Sequence, residues 1–313
     1  MNIILEGFWG IGKSTLAHTL QDTYGYTFIP EPTTQYLETP PEDYSIWYRD
    51  QYCQITTNLH AGMYSQPIVM ERSIISTMAY AYVHNTEIDF TYDVFEQLKE
   101  WYRANSCLIV FLYADMEMVY ARHFWVRDRE LMKKYQEFYT YVVPYRYDLP
   151  TLPLNQFRNA KRKNTERMVH TIMRAIHEQR IAQVNVVVFR RNTEGDVEVL
   201  VLKRNQHKGG FWQTISGGIG PGEFLSQGAL RELQEETGIH GQRERLHPVN
   251  FQFSFMGEEG YELNEYIFTY QIQEADAIRL SHEHEDYVFL SVAEAKEKVN
   301  YESNRTILDY AFG

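Results

Sequence analysis

Three glutamates in the last third of the chain have the spacing of a metal-binding helix face. Glu232, Glu235 and Glu236 stand at positions i, i+3 and i+4 of the string RELQEETGI, so on a helix their carboxylates share one side. Such hard oxygen ligands suit Mg²⁺ or Mn²⁺, which neutralises a diphosphate and activates a water. The spacing predicts a divalent-metal site with all three as candidate ligands and with Glu235 and Glu236 as candidate catalytic groups, against the competing interpretation of a solvated acidic helix.

A glycine-rich stretch, SGGIGPG, comes before this helix. It predicts a loop over residues 216–222 whose backbone approaches phosphate, and Gly217 and Gly218 are its candidate substrate contacts. Five residues separate Gly217 from Glu223, and seven more separate Glu223 from Arg231. We expect Arg231 and Glu223 to lie behind the metal ligands, with the arginine orienting a carboxylate.

A second phosphate motif, GFWGIGKS, follows the apolar segment MNIIL at the other end of the chain. A strand before it and a helix after it are the setting of a P-loop, whose backbone N–H groups surround phosphates. We expect Lys13 to reach the outer phosphates and Ser14 to hold Mg²⁺. The candidate nucleotide contacts are Gly7, Gly10, Gly12, Lys13, Ser14 and Thr15.

Apolar segments alternate with helical patterns through the first half of the chain. Strands are predicted at 26–29, 67–70 and 107–113, and helices at 43–64, 73–83, 92–103 and 116–125. This order favours a parallel sheet covered by helices, in which chemistry gathers where strands end. Glu31, Glu71 and Arg72 follow two of those strands and are candidate site residues.

The chain changes character between the two motifs. Pro144, Pro150 and Pro153, with a basic run over 158–163, predict a surface loop, followed by a helix to about Glu178. We expect one domain over residues 1–178 and another over 182–313. In the second domain, strands are predicted at 183–189, 197–204, 211–216, 249–255 and 262–272, and helices at 225–237 and near 292–299.

The pattern from Gly217 to Ile239 resembles the Nudix box. This resemblance implies a Nudix hydrolase, which cleaves a pyrophosphate bond in a nucleoside diphosphate linked to another group. It also implies an α/β/α sandwich with a mixed sheet. The fold class expected for the whole chain is therefore α/β, with an N-terminal P-loop parallel sheet covered by helices and a C-terminal Nudix sandwich.

The ordered set of P-loop, Glu31-Pro32, Glu71-Arg72-Ser73 and an arginine-rich segment resembles the deoxynucleoside kinase and thymidylate kinase group. The resemblance implies ATP as phosphoryl donor, Glu31 as the base or orienting group, and Glu71 and Arg72 as organisers of metal and acceptor. Gln51 is the expected base-reading residue, with Gln54 as an equally good register. Arg122, Arg127 and Arg129 are the lid arginines. The acceptor, a nucleoside or a nucleoside monophosphate, stays open.

The segments FWQTISG, EHEDYVFL and SNRTILDYAF are similar to those of the bacterial dihydroneopterin triphosphate pyrophosphatases, which also act on dATP. This resemblance implies that Glu283 is an extra metal ligand outside the box. We interpret the flanking His282 and His284 as surface histidines, because carboxylates already suit a hard ion. For Phe211 and Trp212, stacking on a base or pterin and packing in the core both stay open.

Composition limits the classes of partner. The chain has 313 residues and a net charge of −12, of which −9 lies from residue 182 onward, where 12 basic face 21 acidic residues. We expect small-molecule nucleotide substrates and no nucleic-acid polymer. The absence of a long apolar run predicts no membrane contact, and two cysteines suggest free thiols and a cytoplasmic location. A homodimer is left open.

Two functional readings follow. The first is a bifunctional enzyme that joins a metal-dependent Nudix pyrophosphohydrolase of nucleoside or pterin triphosphates to an ATP-dependent nucleoside or nucleotide kinase. The alternative is a Nudix hydrolase regulated by a non-catalytic P-loop domain that senses nucleotides, or one whose P-loop domain is a regulatory ATPase or a partner-binding module.

Overall fold

The computed structural model describes residues 1–8, 10–33, 44–64, 66–85, 91–114, 128–156, 161–258, 260–273 and 276–313. Within them the chain separates into two compact units. The first comprises residues 1–181, 220–222 and 256–262, and the second comprises residues 182–219, 223–255 and 263–313. Each unit combines a β-sheet with helices, so the predicted α/β class is confirmed.

The first unit contains a five-stranded sheet in the order β2-β3-β1-β4-β5. Its strands are β1 (Ile3–Gly7), β2 (Thr27–Ile29), β3 (Ile68–Glu71), β4 (Leu108–Ala114) and β5 (Leu152–Gln156). All neighbouring strands are parallel, as predicted. β1 is buried along its whole length, which is the reason that Ile3, Ile4 and Leu5 are all apolar.

Helices connect these strands. They are α1 (Lys13–Tyr24), α2 (Tyr44–His60), α3 (Ile74–His84), α4 (Thr91–Ala104), α5 (Arg129–Glu137) and α6 (Lys161–Glu178), with a π-helix at Phe138–Arg146. Ser73 caps α3, because its hydroxyl accepts from the Ile75 N–H at 3.2 Å. The helix predicted over residues 116–125 lies outside the described residues.

The surface loop predicted from Pro144 to Lys163 was wrong where regular structure replaces it, and residues 157–160 lie outside the described residues. Pro144 lies inside the π-helix and is buried, and Pro153 lies in β5. β5 is an edge strand of the sheet, where a residue without an N–H is tolerated. α6 begins at Lys161, within the predicted loop.

The second unit has a seven-stranded mixed sheet. Its strands are β6 (Ala182–Arg191), β7 (Val197–Arg204), β8 (Trp212–Gln213), β9 (Ile215–Ile219), β10 (Leu246–Met256), β11 (Glu262–Gln271) and β12 (His284–Ser291). The main path is β10-β11-β6-β7-β12, with β9 on β6 and β8 on β7. β6 runs parallel to β11 and antiparallel to β7 and β9.

Three helices complete this unit: α7 (Leu225–Thr237), α8 (Val292–Lys298) and α9 (Glu302–Phe312). The bounds predicted for β7 and α7 are confirmed, whereas β12 and α9 were not predicted as elements. One face of the sheet packs on α8 and α9 through an apolar cluster that includes Val187, Ile267, Ile307 and Leu308. Among the described residues, no helix has both the length and the apolar character needed to cross a membrane.

Candidate functional sites

The phosphate motif of the first unit forms a turn between β1 and α1 that requires glycine. Gly7 has φ +131°, and a Cβ there would lie 2.2 Å from the Leu112 carbonyl oxygen of the neighbouring strand. Gly10 and Gly12 also have positive φ, and Gly12 is the residue from which α1 begins. The motif therefore has the strand, turn and helix expected of a P-loop; Trp9 lies outside the described residues.

Lys13 is buried beneath this turn. Its Nζ donates to the carbonyl oxygens of Phe8 at 2.8 Å and Gly7 at 3.3 Å. Burial, together with the positive charge of Arg72, lowers the pKa of Lys13 to about 7. The ammonium group of Lys13 is thus bonded to loop carbonyls, and a bound phosphate would have to compete with them for it. Thr15, in the first turn of α1, is exposed.

The two oxygen groups expected at the kinase metal are brought together. Ser14 Oγ donates to Glu71 Oε1 at 2.9 Å, which joins the start of α1 to the end of β3. A hydroxyl and a carboxylate are hard donors, so this pair fits Mg²⁺.

Arg72 and Glu31 also meet, although they follow different strands. Arg72 Nε lies 2.8 Å from Glu31 Oε2, and Arg72 Nη1 donates to Ser76 Oγ at 3.1 Å. The Arg72 backbone has φ +66°, an uncommon conformation for a residue with a side chain. Such conformations are often found at functional positions, and the buried guanidinium of Arg72 lies against Glu31.

The sequence analysis missed Glu6, the residue before Gly7. It is fully buried, and its carboxylate accepts hydrogen bonds from Ser73 at 2.7 Å, Ser76 at 2.6 Å and Tyr139 at 3.0 Å. Burial raises the pKa of Glu6 despite these bonds. Because Ser76 contacts both Glu6 and Arg72, the carboxylate helps to position the arginine. The available signal was a charged residue inside an otherwise apolar strand.

The structure gives fewer contacts for the remaining kinase candidates. Gln51 is half-buried on α2 beside the buried Tyr52, whereas Gln54 is exposed and donates to Asn58 at 2.9 Å on the same helix. Both registers stay predictions. Arg129 is exposed at the first residue of α5, and Arg122 and Arg127 lie outside the described residues.

In the second unit, Arg231 organises the glutamates of α7. Its guanidinium donates to Glu223 Oε1 at 2.8 Å, to Glu232 Oε1 at 2.6 Å and to the Gly218 carbonyl at 2.7 Å. A longer bond of 3.4 Å reaches Glu235. The Glu235 side chain is 58% exposed and that of Glu232 only 9%, so Glu235 is the more accessible of the two to a substrate.

Gly217 and Gly218 lie in strand β9, which corrects the predicted loop over residues 216–222. Gly217 pairs with Val184 of β6 and Gly218 with Gln183. A Cβ on Gly217 would stand 1.8 Å from the carboxyl carbon of Glu232, so the glycine makes room for that side chain. Burial raises the pKa of Glu232, and Arg231 opposes this effect.

His284 is not a surface histidine, contrary to expectation. It is 8% exposed, and its Nδ1 lies 2.5 Å from Glu236 Oε2, which also accepts from Ser281 Oγ at 2.8 Å. Burial raises the pKa of Glu236, but the bonds from His284 and Ser281 outweigh it and the net shift is downward. The sequence could not reveal this burial, because it depends on a contact with α7. His282 is exposed, as expected.

Glu283 lies before β12 with its carboxylate ion-paired to Arg204 and to Lys208, the latter at 3.0 Å. The lysine, with the arginine, lowers the pKa of Glu283. The negative charge of Glu283 acts to raise the pKa of Glu236, against the net downward shift of that group. Within the described residues, no three histidine, cysteine or acidic side chains are gathered as metal ligands. The carboxylate donors fit Mg²⁺ or Mn²⁺ chemically, but a metal would have to displace cationic side chains from them.

Trp212 is half-buried in β8 beside the apolar cluster, with Lys298 Nζ 4.5 Å from its ring centroid. The backbone N–H of Trp212 donates to Asn300 Oδ1 at 2.9 Å. Phe211 packs edge-on against Tyr301 at 5.0 Å. The protein contacts of both rings are consistent with the core reading, and part of Trp212 stays open to solvent.

Comparison with known families agrees with this division of the chain. Residues 3–163 match the deoxynucleoside kinase family model, and residues 181–310 match the NUDIX domain model.

Individual relatives match only parts of the chain. An octanoyltransferase of Myxococcus xanthus is 30% identical over 113 residues, which cover 35% of this chain and 31% of that protein. The dihydroneopterin triphosphate diphosphatase of Escherichia coli strain K12 is 32% identical over 74 residues, 24% of this chain and 47% of the enzyme. The chain thus spans under half the length of either protein. The structure of a Caenorhabditis elegans Ap4A hydrolase is 22% identical, covers 42% of this chain and 93% of that one, and has a TM-score of 0.35.

Proposed function

Because the chain belongs to the deoxynucleoside kinase family through residues 3–163 and carries a Nudix domain over residues 181–310, we propose that it is a bifunctional nucleotide enzyme. In this proposal, residues 182–313 hydrolyse a nucleoside or pterin triphosphate. Residues 1–178 transfer phosphate from ATP to a nucleoside or a nucleoside monophosphate. The observation that carries the hydrolase assignment is the set of three glutamates on α7, two of which contact Arg231.

The hydrolytic reaction adds water to a phosphorus atom and breaks the bridge between the α and β phosphates. The products are a monophosphate and pyrophosphate, and the proton of the water passes to a base. A divalent cation bound by Glu232, Glu235, Glu236 and Glu283 would supply charge neutralisation and an activated water. Arg231 holds Glu232 in place, and His284 orients Glu236.

The kinase reaction moves the γ-phosphoryl group of ATP to an acceptor oxygen, with ADP as the leaving group. Lys13 would follow the negative charge onto the transferring group, and the Ser14–Glu71 pair would hold Mg²⁺. Glu31, fixed by Arg72, would orient the acceptor and receive its proton. Arg122, Arg127 and Arg129 are proposed to clamp the phosphates, and Gln51 to read the base.

A substrate screen with the full-length protein tests both assignments. Nucleosides, nucleoside monophosphates, nucleoside triphosphates and a sugar-linked diphosphate such as ADP-ribose are incubated with Mg²⁺, with and without ATP. We expect pyrophosphate release from a triphosphate and ATP-dependent phosphorylation of at least one acceptor. Preference for ADP-ribose over every triphosphate would overturn the hydrolase substrate, and failure of every acceptor would overturn the kinase.

A further inference from the structure

A buried polar cluster interrupts the apolar sheet face that packs on α8 and α9. Asn185 of β6 and Glu265 of β11 are 0% and 4% exposed, and Asn185 Nδ2 donates to Glu265 Oε1 at 3.1 Å. Gln183 Nε2 donates to the same oxygen at 2.9 Å. Side chains two residues apart on a strand share a face, so Asn185 lies beside Val187 and Glu265 beside Ile267 of the apolar cluster.

Helix α9 brings a second amide to this position. Its last ring, Phe312, lies 5.2 Å from Phe189 at the far end of β6, and its Ile307 packs in the cluster with Val187. The helix therefore runs in the same direction as β6. Asn304 lies one turn before Ile307 on the same face and is 6% exposed, so the direction of the helix places it at about the level of Asn185.

This cluster carries more acceptors than the described part of the chain satisfies. Asn185 Oδ1, Asn304 Oδ1 and Thr214 Oγ1 are buried and have no hydrogen-bond partner among the described residues. Asn185 Nδ2 is engaged with Glu265, so the oxygen of that amide is the atom left over. Leaving a buried polar atom unpaired is costly, so these oxygens are candidate acceptors for the donors of a ligand.

Aromatic rings and an open edge lie next to the polar cluster. Phe251 of β10 stacks on Tyr310 of α9 with centroids 3.8 Å apart and planes at 7°, and Phe253 follows on the same strand face. Phe251 and Phe253 are half-buried, as are Gln183 and Ser216. A flat molecule bound at this edge would pack against aromatic surface.

Strand β9 links this cluster to the hydrolase glutamates. Ser216 lies opposite Asn185 in the β6–β9 pairing, so its side chain is on the cluster side of the sheet. The next residue, Gly217, faces Glu232 on the other side. The cluster and Glu232 thus lie on opposite faces of β9, so a substrate that reaches both would have to pass around the edge of this strand.

We propose that Asn185, Glu265 and Asn304 bind the donor-rich edge of a 2-amino-4-oxo heterocycle, the edge shared by guanine and pterin. In both ring systems a ring N–H and the adjacent amino group offer neighbouring donors to the cluster's carboxylate and amide oxygens. Adenine offers an amino group beside a ring acceptor, which would face the oxygens of the cluster. This inference rests on the proposed hydrolase function and names the group that its substrate carries.

The test compares dGTP, dITP, dATP and dihydroneopterin triphosphate as substrates of the full-length protein. We expect kcat/KM for dGTP or for the pterin to exceed that for dATP by about tenfold or more, because a hydrogen-bonding site rejects a mismatched edge. Loss of the 2-amino group in dITP should lower kcat/KM relative to dGTP. Whether dGTP or the pterin is the better substrate identifies the source of the shared edge.

Asn304→Leu, with Ser303→Ala as a matched control on the same helix, tests the residues. In Asn304→Leu the preference over dATP should fall by about tenfold, mainly through KM, with an unchanged or higher melting temperature, because an unpartnered amide is removed. Ser303→Ala should keep the preference. A lowered melting temperature with equal loss on all substrates would make Asn304 structural and overturn the proposal, as would a wild-type protein that prefers dATP.

Failure of the hydrolase assignment can be recognised separately. If the wild-type protein hydrolyses no triphosphate, the melting temperature is measured with dGMP, neopterin and dAMP. Stabilisation by dGMP or neopterin but not by dAMP, lost in Asn304→Leu, would retain the binding site without the reaction. Equal stabilisation by all three, or by none, would overturn the binding site as well.

Discussion

At the residue scale, each hydrolase glutamate is paired with a cationic or protonatable group of its own unit. Arg231 contacts Glu232 and Glu235, His284 contacts Glu236, and Arg204 and Lys208 contact Glu283. Such pairs hold the carboxylates in fixed directions, a requirement for ligands that must meet a metal and a phosphate together. The three glutamates on α7 also differ in exposure, because only the Glu235 side chain is more than half exposed.

Gly217 provides a direct test of how Glu232 is held. We expect Gly217→Ala to lower the melting temperature and to reduce pyrophosphate release, because its Cβ would meet the Glu232 carboxyl carbon at 1.8 Å. The destabilisation should be about 1–3 kcal/mol, the usual effect of forcing an extra methyl into a packed site. Adding Glu232→Ala should recover the melting temperature but not the activity. If the double variant stays as unstable as Gly217→Ala, the clash is not the cause.

Lys13 gives a prediction about protons. Because burial lowers the pKa of Lys13 to about 7, most of this lysine is neutral at pH 8 in the free protein. Phosphates nearby favour its charged form, so ATP binding at pH 8 should take up protons. Calorimetry in buffers of different ionisation enthalpy should show this uptake, and Lys13→Arg, which stays charged, should abolish it. A binding enthalpy independent of buffer in the wild type would contradict the prediction.

At the element scale, sequence patterns predicted best the elements whose residues carry local signals. α7 was predicted from Leu225 to Thr237 because its apolar spacing is regular and Gly238 ends it in a left-handed conformation. The π-helix and β5 were missed because their prolines normally break structure, and only the edge position of β5 makes Pro153 acceptable. His284 and Glu6 were missed as site residues because their partners are far away in the sequence. Glu236 is 48 positions from His284, and Tyr139 is 133 positions from Glu6.

The segment before β12 carries its own test. We expect Glu283→Gln to lower kcat for triphosphate hydrolysis by roughly tenfold or more, with a smaller effect on KM, if its carboxylate serves the transition state. Glu285→Gln is the matched control, since Glu285 is two residues away and pairs with Lys203 at 2.5 Å. Steady-state kinetics of the two variants separate the cases. An inactive Glu285→Gln beside a normal Glu283→Gln would move the extra ligand to residue 285.

At the scale of the whole molecule, two nucleotide sites stand in one chain, and each is assembled within its own unit. The kinase candidates Lys13, Ser14, Glu31, Glu71 and Arg72 all belong to the first unit, and the glutamates of α7 and Glu283 to the second. The second half carries most of the negative charge, −9 of −12, so a polyphosphate approaching it needs a cation to offset repulsion. Hydrolysis should therefore stop when Mg²⁺ is chelated.

The two proposed activities depend on separate residues of the chain. An assay of both activities in each variant tests this dependence most directly. Pyrophosphate release from a triphosphate and ATP-dependent phosphoryl transfer are followed in the full-length wild type, Glu235→Gln, Glu236→Gln, their double variant and Lys13→Ala. Each α7 variant should lose about 100-fold or more in hydrolysis while keeping phosphoryl transfer, and Lys13→Ala should show the reverse. Near-normal hydrolysis by a folded double variant, or loss of both activities in Lys13→Ala, would contradict the account.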